Sequence, residues 1–264
     1  MLMGFLFHDL AGAMHAKLDH IYQGRTLVFG HRGAKAYAPM NTLPALELAI
    51  QQGADGVELD AHFSKDREVV IVHDFTVDST TNGKGRVRDM TLAQIKALDA
   101  GGWFDPAFQN TRIPTLDEVF EAVGKQLFIN VEIKVKSSDT EGLERVIADK
   151  IRNYALQQRV IVSSFDLPVL ERFRRIMPDV PVGFLHMAAL DDAQIRTLNT
   201  LEFEAVHPHH TLIDTVYSTW AKDSGYRINT WTVNDPARAL ELHVLGVDAI
   251  ISDNPDVILK ALGR

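Results

Sequence analysis

Polar residues able to do chemistry sit at the ends of short β-branched runs. One run ends in Gly30-His31-Arg32-Gly33, and a second carries Glu58-Leu59-Asp60. A third returns at His73-Asp74, and a fourth carries Glu132-Ile133-Lys134. Side chains alternate along a strand, so Glu58 and Asp60 share one face, as do Glu132 and Lys134. If both faces point into one mouth, three carboxylates converge. Three unpaired buried carboxylates repel one another and carry a large desolvation cost. A bound divalent cation relieves both. All-oxygen ligation favours a hard ion, Mg2+ or Ca2+, with Mn2+ also admissible. The plainer alternative pairs Glu132 with Lys134 and Glu58 with an arginine. For any one residue that alternative is stronger. For the set it is weaker, because interior strands normally present apolar residues to the core.

His31 and His73 can exchange protons near neutral pH. Phosphodiester cleavage needs a base to activate the attacking oxygen and an acid to protonate the leaving one. Two histidines flanking a cation-bound phosphate supply both. Arg32 and Lys134 are then placed to hold the non-bridging oxygens. The remaining histidines read as structural. His207 and His209 share a strand face near the same mouth, so a weak case for a ligand role stays open there.

The elements that position these groups alternate between β-branched runs and helical patterns, which indicates βα units and a parallel sheet. Eight barrel strands are expected at Thr26–His31, Gly56–Ala61, Leu127–Lys134, Val160–Ser164, Val182–Leu185, Ala205–His207, Arg227–Thr232 and Asp248–Ser252. A further strand, Glu68–His73, follows its predecessor too closely for a crossover helix. It must form an antiparallel hairpin, which folds His73 back towards Asp60. Thr115-Leu116-Asp117-Glu118 is a capping box for a helix with Leu116, Val119, Phe120 and Val123 inward. Asn41-Thr42 is expected to cap a helix carrying Leu43, Leu46 and Ile50. Residues 75–114 form an insertion with a loop at Asn82-Gly83-Lys84-Gly85 and a small helix from Thr91. Insertions after barrel strands lie over the active face, so a lid is expected.

The chain of 264 residues suits one (β/α)8 barrel domain. Its first 24 residues read as an amphipathic N-terminal helix packed on its own domain; a barrel-floor cap, a subunit contact or a membrane contact are the alternatives. The formal net charge is -8, with no basic stripe, which argues against nucleic acid as a partner. There is no cysteine, so disulfide and thiolate chemistry are excluded. Met1-Leu2-Met3-Gly4-Phe5-Leu6-Phe7 lacks a basic flank and is interrupted by His8 and Asp9, unlike a signal peptide. No uninterrupted apolar run reaches about 18 residues, so no transmembrane helix is expected. A cytoplasmic location follows as the expectation. Self-association is left open.

Gly30-His31-Arg32-Gly33 followed by Pro39-Met40-Asn41-Thr42 resembles the opening signature of the glycerophosphodiester phosphodiesterases. The pattern continues through Glu58-Leu59-Asp60, Val70-Ile71-Val72-His73-Asp74 and Glu132-Ile133-Lys134. It returns in Trp231-Thr232-Val233-Asn234 and Ser252-Asp253-Asn254-Pro255, in order from about residue 28 to the C-terminus. The resemblance implies a (β/α)8 barrel with one divalent cation on Glu58, Asp60 and Glu132. It implies His31 and His73 as the acid/base pair, with Arg32 and Lys134 at the phosphate. It further implies a small-molecule substrate of the glycerophosphocholine or glycerophosphoethanolamine type, giving glycerol 3-phosphate and an alcohol. The glycerol 2-hydroxyl would attack phosphorus, and water would open the resulting cyclic phosphate. Trp231 and Phe184 resemble pocket residues; the alternative is that both fill the core.

The sequence departs from the family at three places. Met40 stands where glutamate is usual, Ser79 where arginine is, and Arg67 where glycine closes the hairpin turn. Met40 loses a polar contact at the mouth and favours a bulkier or less charged phosphoester. A lysophospholipase D-like activity is a second reading, with Met40, Phe63 and Phe75 as an apolar mouth. A non-catalytic barrel that binds phosphoesters is a third.

Overall fold

The computed structural model describes residues 20–22, 24–136 and 141–264. β1 (Leu27–His31) is buried along its length and pairs on both sides. One neighbour is β2 (Gly56–Phe63) and the other is β9 (Ala249–Ser252), at the far end of the chain. Between these two run β4 (Phe128–Ile133), β5 (Val160–Ser164), β6 (Val182–His186), β7 (Ala205–Pro208) and β8 (Arg227–Thr230), each parallel to the next. The β1–β2 pairing closes the ring. The result is a TIM barrel of eight parallel strands with helices between them, as the sequence led one to expect. β3 (Val69–Ile71) stands outside the ring, antiparallel to Ala61–Phe63.

Alternation along each strand sorts apolar residues into two layers. Leu27, Phe29, Ile161, Ala249 and Ile251 fill the lumen, with Ile21 and Tyr22 beside them. Val28, Val57, Leu59, Val131 and Val162 belong to the outer layer, with helical residues Leu46, Val119, Phe120, Ile147 and Phe173. A Val, Leu, Ile or Phe buried in this way stabilises by about 1.5–3 kcal/mol. A third, smaller cluster joins Val70 and Val72 to Val77, Val87, Ile95, Ala100 and Ile113. The insertion therefore carries a core of its own.

The helices are α1 (Leu43–Gln51), α2 (Leu92–Lys96), α3 (Leu116–Val123), α4 (Leu143–Asn153), α5 (Leu167–Ile176), α6 (Asp192–Thr200), α7 (Thr215–Asp223), α8 (Pro236–Val244) and α9 (Pro255–Ala261). The Thr115–Glu118 capping box opens α3, and its four predicted apolar residues are buried. At α1 the expected side-chain cap does not form. The Thr42 hydroxyl donates to Pro39 O, and the Asn41 amide turns away to Asp60. β3 is shorter than expected: after Ile71 the Val72 N–H donates to Asp60 O, which steers His73 towards the barrel mouth. The expected N-terminal helix lies outside the described residues, apart from His20–Tyr22 and Gly24. No helix among the described residues is long and apolar enough to cross a membrane.

Candidate active site

The loop after β1 sets the site. Gly33 has φ +82, and a Cβ there would come within 2.5 Å of the Ala45 backbone. Only glycine lets the chain pass α1 so closely. Arg32 and Asn41 also adopt left-handed backbone, at φ 57 and 58. Such conformations cost free energy in non-glycine residues and cluster at functional sites. The Arg32 N–H donates to Glu58 O at 2.8 Å, locking this loop to β2.

Glu58, Asp60 and Glu132 are all buried, and one carboxylate oxygen from each lies within 4.8 Å of the others. Register explains the convergence: Asp60 pairs directly with Glu132 across β2 and β4. Two cations reach into the cluster. Lys134 Nζ lies 2.8 Å from Glu132 and 3.3 Å from Asp60, and Arg32 Nε lies 3.3 Å from Asp60. The Asn41 amide donates to Asp60 Oδ2 at 2.8 Å. The Glu132–Lys134 pair of the plainer alternative thus forms, yet the three acids still face one another.

Burial and the neighbouring Asp60 and Glu132 carboxylates push the Glu58 carboxyl well above its usual range. Burial and Asp60 raise Glu132 to about 7. Burial also acts upward on Asp60, but Lys134, Arg32, His73 and Asn41 outweigh it and hold Asp60 low. Two basic groups do not neutralise three carboxylates. The donor set therefore fits a divalent cation bound through oxygen.

Both predicted histidines are backed by an aspartate. His31 Nδ1 lies 2.6 Å from Asp253 Oδ1, and Asp253 is held in turn by Asn234 and Lys35. His73 Nδ1 lies 2.7 Å from Asp74 Oδ1, and the Ser79 hydroxyl donates to the other Asp74 oxygen. A carboxylate at Nδ1 fixes the tautomer and leaves Nε2 for proton exchange. His31 Nε2 is 3.8 Å from Glu58. Burial lowers His31 to about 4 against the Asp253 hydrogen bond. Sequence reasoning gave no part in the site to Asp253, Asp74 or Asn41, the last being expected only as a helix cap. Adjacency to His73 was an available signal for Asp74; nothing in the spacing singles out Asp253 or Asn41.

One cavity of about 260 Å³ gathers His31, Arg32, Glu58, His73, Glu132, Lys134 and Trp231. Phe165, Leu185 and Met187 complete an apolar side, and Asn130 lines the cavity as well. Phe184 does not line it. On β6 the inward position belongs to Leu185, and Phe184 packs in the outer layer and stacks on His186. Met40 is also outside the lining, but its sulfur accepts from Arg32 Nη1 at 3.3 Å. Phe63 and Phe75 form no mouth: Phe63 is buried under Arg67, and Phe75 packs on His62. His207 is fully buried and bonds Asn229, while His209 caps a short turn at Thr211. Neither lines the cavity. The insertion adds no lining residue and meets the site through Ser79. A larger cavity, about 390 Å³, opens at the other end of the barrel beside Thr26, Arg227 and Asp248. Arg227 and Asp248 form an ion pair there at 2.9 Å.

Arg67 has φ 65, where glycine would sit without strain. Its guanidinium lies over the Phe63 ring at 4.5 Å and donates to Glu141 O. These contacts offset part of the backbone cost.

The sequence model of the glycerophosphoryl diester phosphodiesterase family matches residues 31–257. The chain belongs to this family of phosphoric diester hydrolases. It is 38% identical over 241 residues to a glycerophosphodiester phosphodiesterase of Caldanaerobacter subterraneus subsp. tengcongensis, covering 91% of this chain and 99% of that one. Among solved structures, an Oleispira antarctica phosphodiesterase in complex with its product sn-glycerol-3-phosphate superposes with TM-score 0.83 at 33% identity. That match covers 92% of this chain and 99% of the other. A glycerophosphodiester phosphodiesterase of Agrobacterium tumefaciens gives TM-score 0.79 at 28% identity, with 89% and 99% covered.

Proposed function

We propose that the chain hydrolyses glycerophosphodiesters to glycerol 3-phosphate and an alcohol, with a divalent cation and two histidines. The observation that carries this reading is the cluster of Glu58, Asp60 and Glu132, two of which, Glu58 and Glu132, line the cavity together with His31 and His73. The three carboxylates would hold one cation, Mg2+ or Ca2+, with Mn2+ also compatible with the oxygen donors. When bound, the cation supplies Lewis-acid stabilisation of charge on the phosphate. Arg32 and Lys134 bind the non-bridging oxygens. One histidine takes the proton of the attacking glycerol 2-hydroxyl, and the other protonates the leaving alcohol. The cyclic phosphate so formed is opened by water with the roles reversed. Asp253 and Asp74 hold the imidazoles in orientation. Trp231 packs on the organic part of the substrate, and Met40 reaches it only through Arg32. Residues 75–114 act as a cap on the His73 side.

The test is to incubate the cation-loaded protein with glycerophosphocholine and identify the products. Glycerol 3-phosphate with choline is expected; phosphocholine with glycerol would contradict the reading. One observation favours a second substrate class. Phe165 and Met187 are 45% and 65% exposed and both line the cavity, an apolar rim suited to a lysophospholipid. Turnover of lysophosphatidylcholine with none of glycerophosphocholine would select that class.

A further inference from the structure

Two asparagines are buried inside the barrel, and they are treated differently. Asn229, on β8, is fully used. Its Oδ1 accepts from the Tyr22 hydroxyl at 2.8 Å, and its Nδ2 lies 2.9 Å from His207 Nε2. Asn130, on β4, is 2% exposed, yet neither Nδ2 nor Oδ1 has a hydrogen-bond partner among the described residues. Buried amides are normally paired, so an unused one calls for a cause. Asn130 lies two residues before Glu132, on the same inward face, and is in register with Glu58 on one side and Ile161 on the other. It lines the cavity that holds His31, His73 and Trp231.

We propose that Asn130 is a specificity-determining residue whose amide binds the free terminal hydroxyl on the polyol part of the substrate, the 2-hydroxyl being the nucleophile. The inference rests on the glycerophosphodiester reading above and goes further by naming the group that selects the polyol. A hydroxyl both donates and accepts, so it uses Oδ1 and Nδ2 together. A phosphate oxygen accepts only and would leave Oδ1 unused. A quaternary ammonium group has no N–H to donate. Leu185, Ile251 and Trp231 line the same cavity and suit the carbon skeleton of a polyol. A site built to hydrogen-bond a hydroxyl discriminates strongly against analogues lacking it, because its own polar atoms are then left unpaired.

The experiment uses the full chain with its divalent cation and the variants Asn130→Ala and Asn130→Leu, the second of which preserves bulk. Affinities for sn-glycerol 3-phosphate and for ethyl phosphate are measured by calorimetry, beside kcat/KM on glycerophosphocholine and on 2-hydroxyethyl phosphocholine, which keeps the attacking hydroxyl and lacks the terminal hydroxymethyl group. The parent should bind glycerol phosphate more tightly than ethyl phosphate, and the variants should lose that preference. Hydrolysis of glycerophosphocholine should fall about 10- to 100-fold, the effect of two lost neutral hydrogen bonds, with the diester that lacks the terminal hydroxyl within about threefold of parent. A parallel fall on both diesters would mean that Asn130 supports the carboxylates, and would overturn the proposal. Equal parent affinity for the two phosphates would overturn it without any variant. A parent that hydrolyses no glycerophosphodiester but still prefers glycerol phosphate through Asn130 would sink the proposed reaction and leave this inference standing.

Discussion

Two of the buried charge clusters among the described residues are built on opposite principles. Arg174 on α5 forms an ion pair with Glu204, both almost fully buried. Arg174 also donates to Pro178 O and Glu202 O, and Glu204 accepts from the Val182 N–H. One acid meets one base, and their hydrogen bonds tie α5 to the segments before β6 and β7. At the other cluster three carboxylates meet Lys134 and Arg32, and burial with mutual repulsion drives Glu58 and Glu132 upward. Burial alone does not separate a structural pair from a site. The excess of one sign of charge does, because folding gains nothing from bringing like charges together out of water.

The comparison is sharpened most by removing the proton-transfer groups. His31→Ala or His73→Ala should lower kcat about 10²–10⁴-fold, the range for general acid–base catalysis, with the unfolding midpoint little changed. Glu204→Ala should do the reverse. Leaving the Arg174 charge buried and unpaired costs about 3–5 kcal/mol in denaturant unfolding, while kcat of the folded fraction stays at the parent value. Glu58→Gln comes next. At a cation concentration 100-fold above Kd the parent should gain about 2.7 kcal/mol of stability, and the variant little or none. The variant without cation should be at least as stable as the parent without cation, since one repelling charge is gone.

A further effect is in pH. A carboxyl raised on folding binds its proton more tightly in the native state than in the unfolded one. Glu132 moves from 4.5 to about 7, so the cation-free protein should lose stability as pH rises through that window. Thermal unfolding across pH 4–8 checks this. Excess divalent cation should flatten the fall, and a cation-independent profile would contradict the origin assigned to it.

The site was legible in the sequence where strand periodicity carried it. Glu58 and Asp60, two residues apart on one strand, and Glu132 and Lys134 on another, announce shared faces. The hairpin that returns His73 followed from a turn too short for a crossover. What lay hidden depends on contacts distant in the chain. Asp253 reaches His31 only because β9 closes the ring against β1, and Arg174 meets Glu204 across 30 residues without any pattern. Phe184 was misplaced by one position: Leu185, its neighbour, holds the inward side of β6. The Asn41-Thr42 cap failed for a related reason. Asn41 served the buried Asp60 instead of the helix, a choice of partner that local sequence does not encode.

The central claim is that the carboxylate cluster is a cation site that serves phosphodiester hydrolysis. The most direct measurement is the rate of glycerol 3-phosphate release from glycerophosphocholine by chelator-stripped protein, before and after Mg2+, Ca2+ or Mn2+ is returned, with Glu58→Gln alongside. The account predicts negligible release without cation, recovery with at least one of the three in the parent, and no recovery at the same concentration in the variant. Full activity of the stripped parent, or equal recovery by Glu58→Gln, would contradict it.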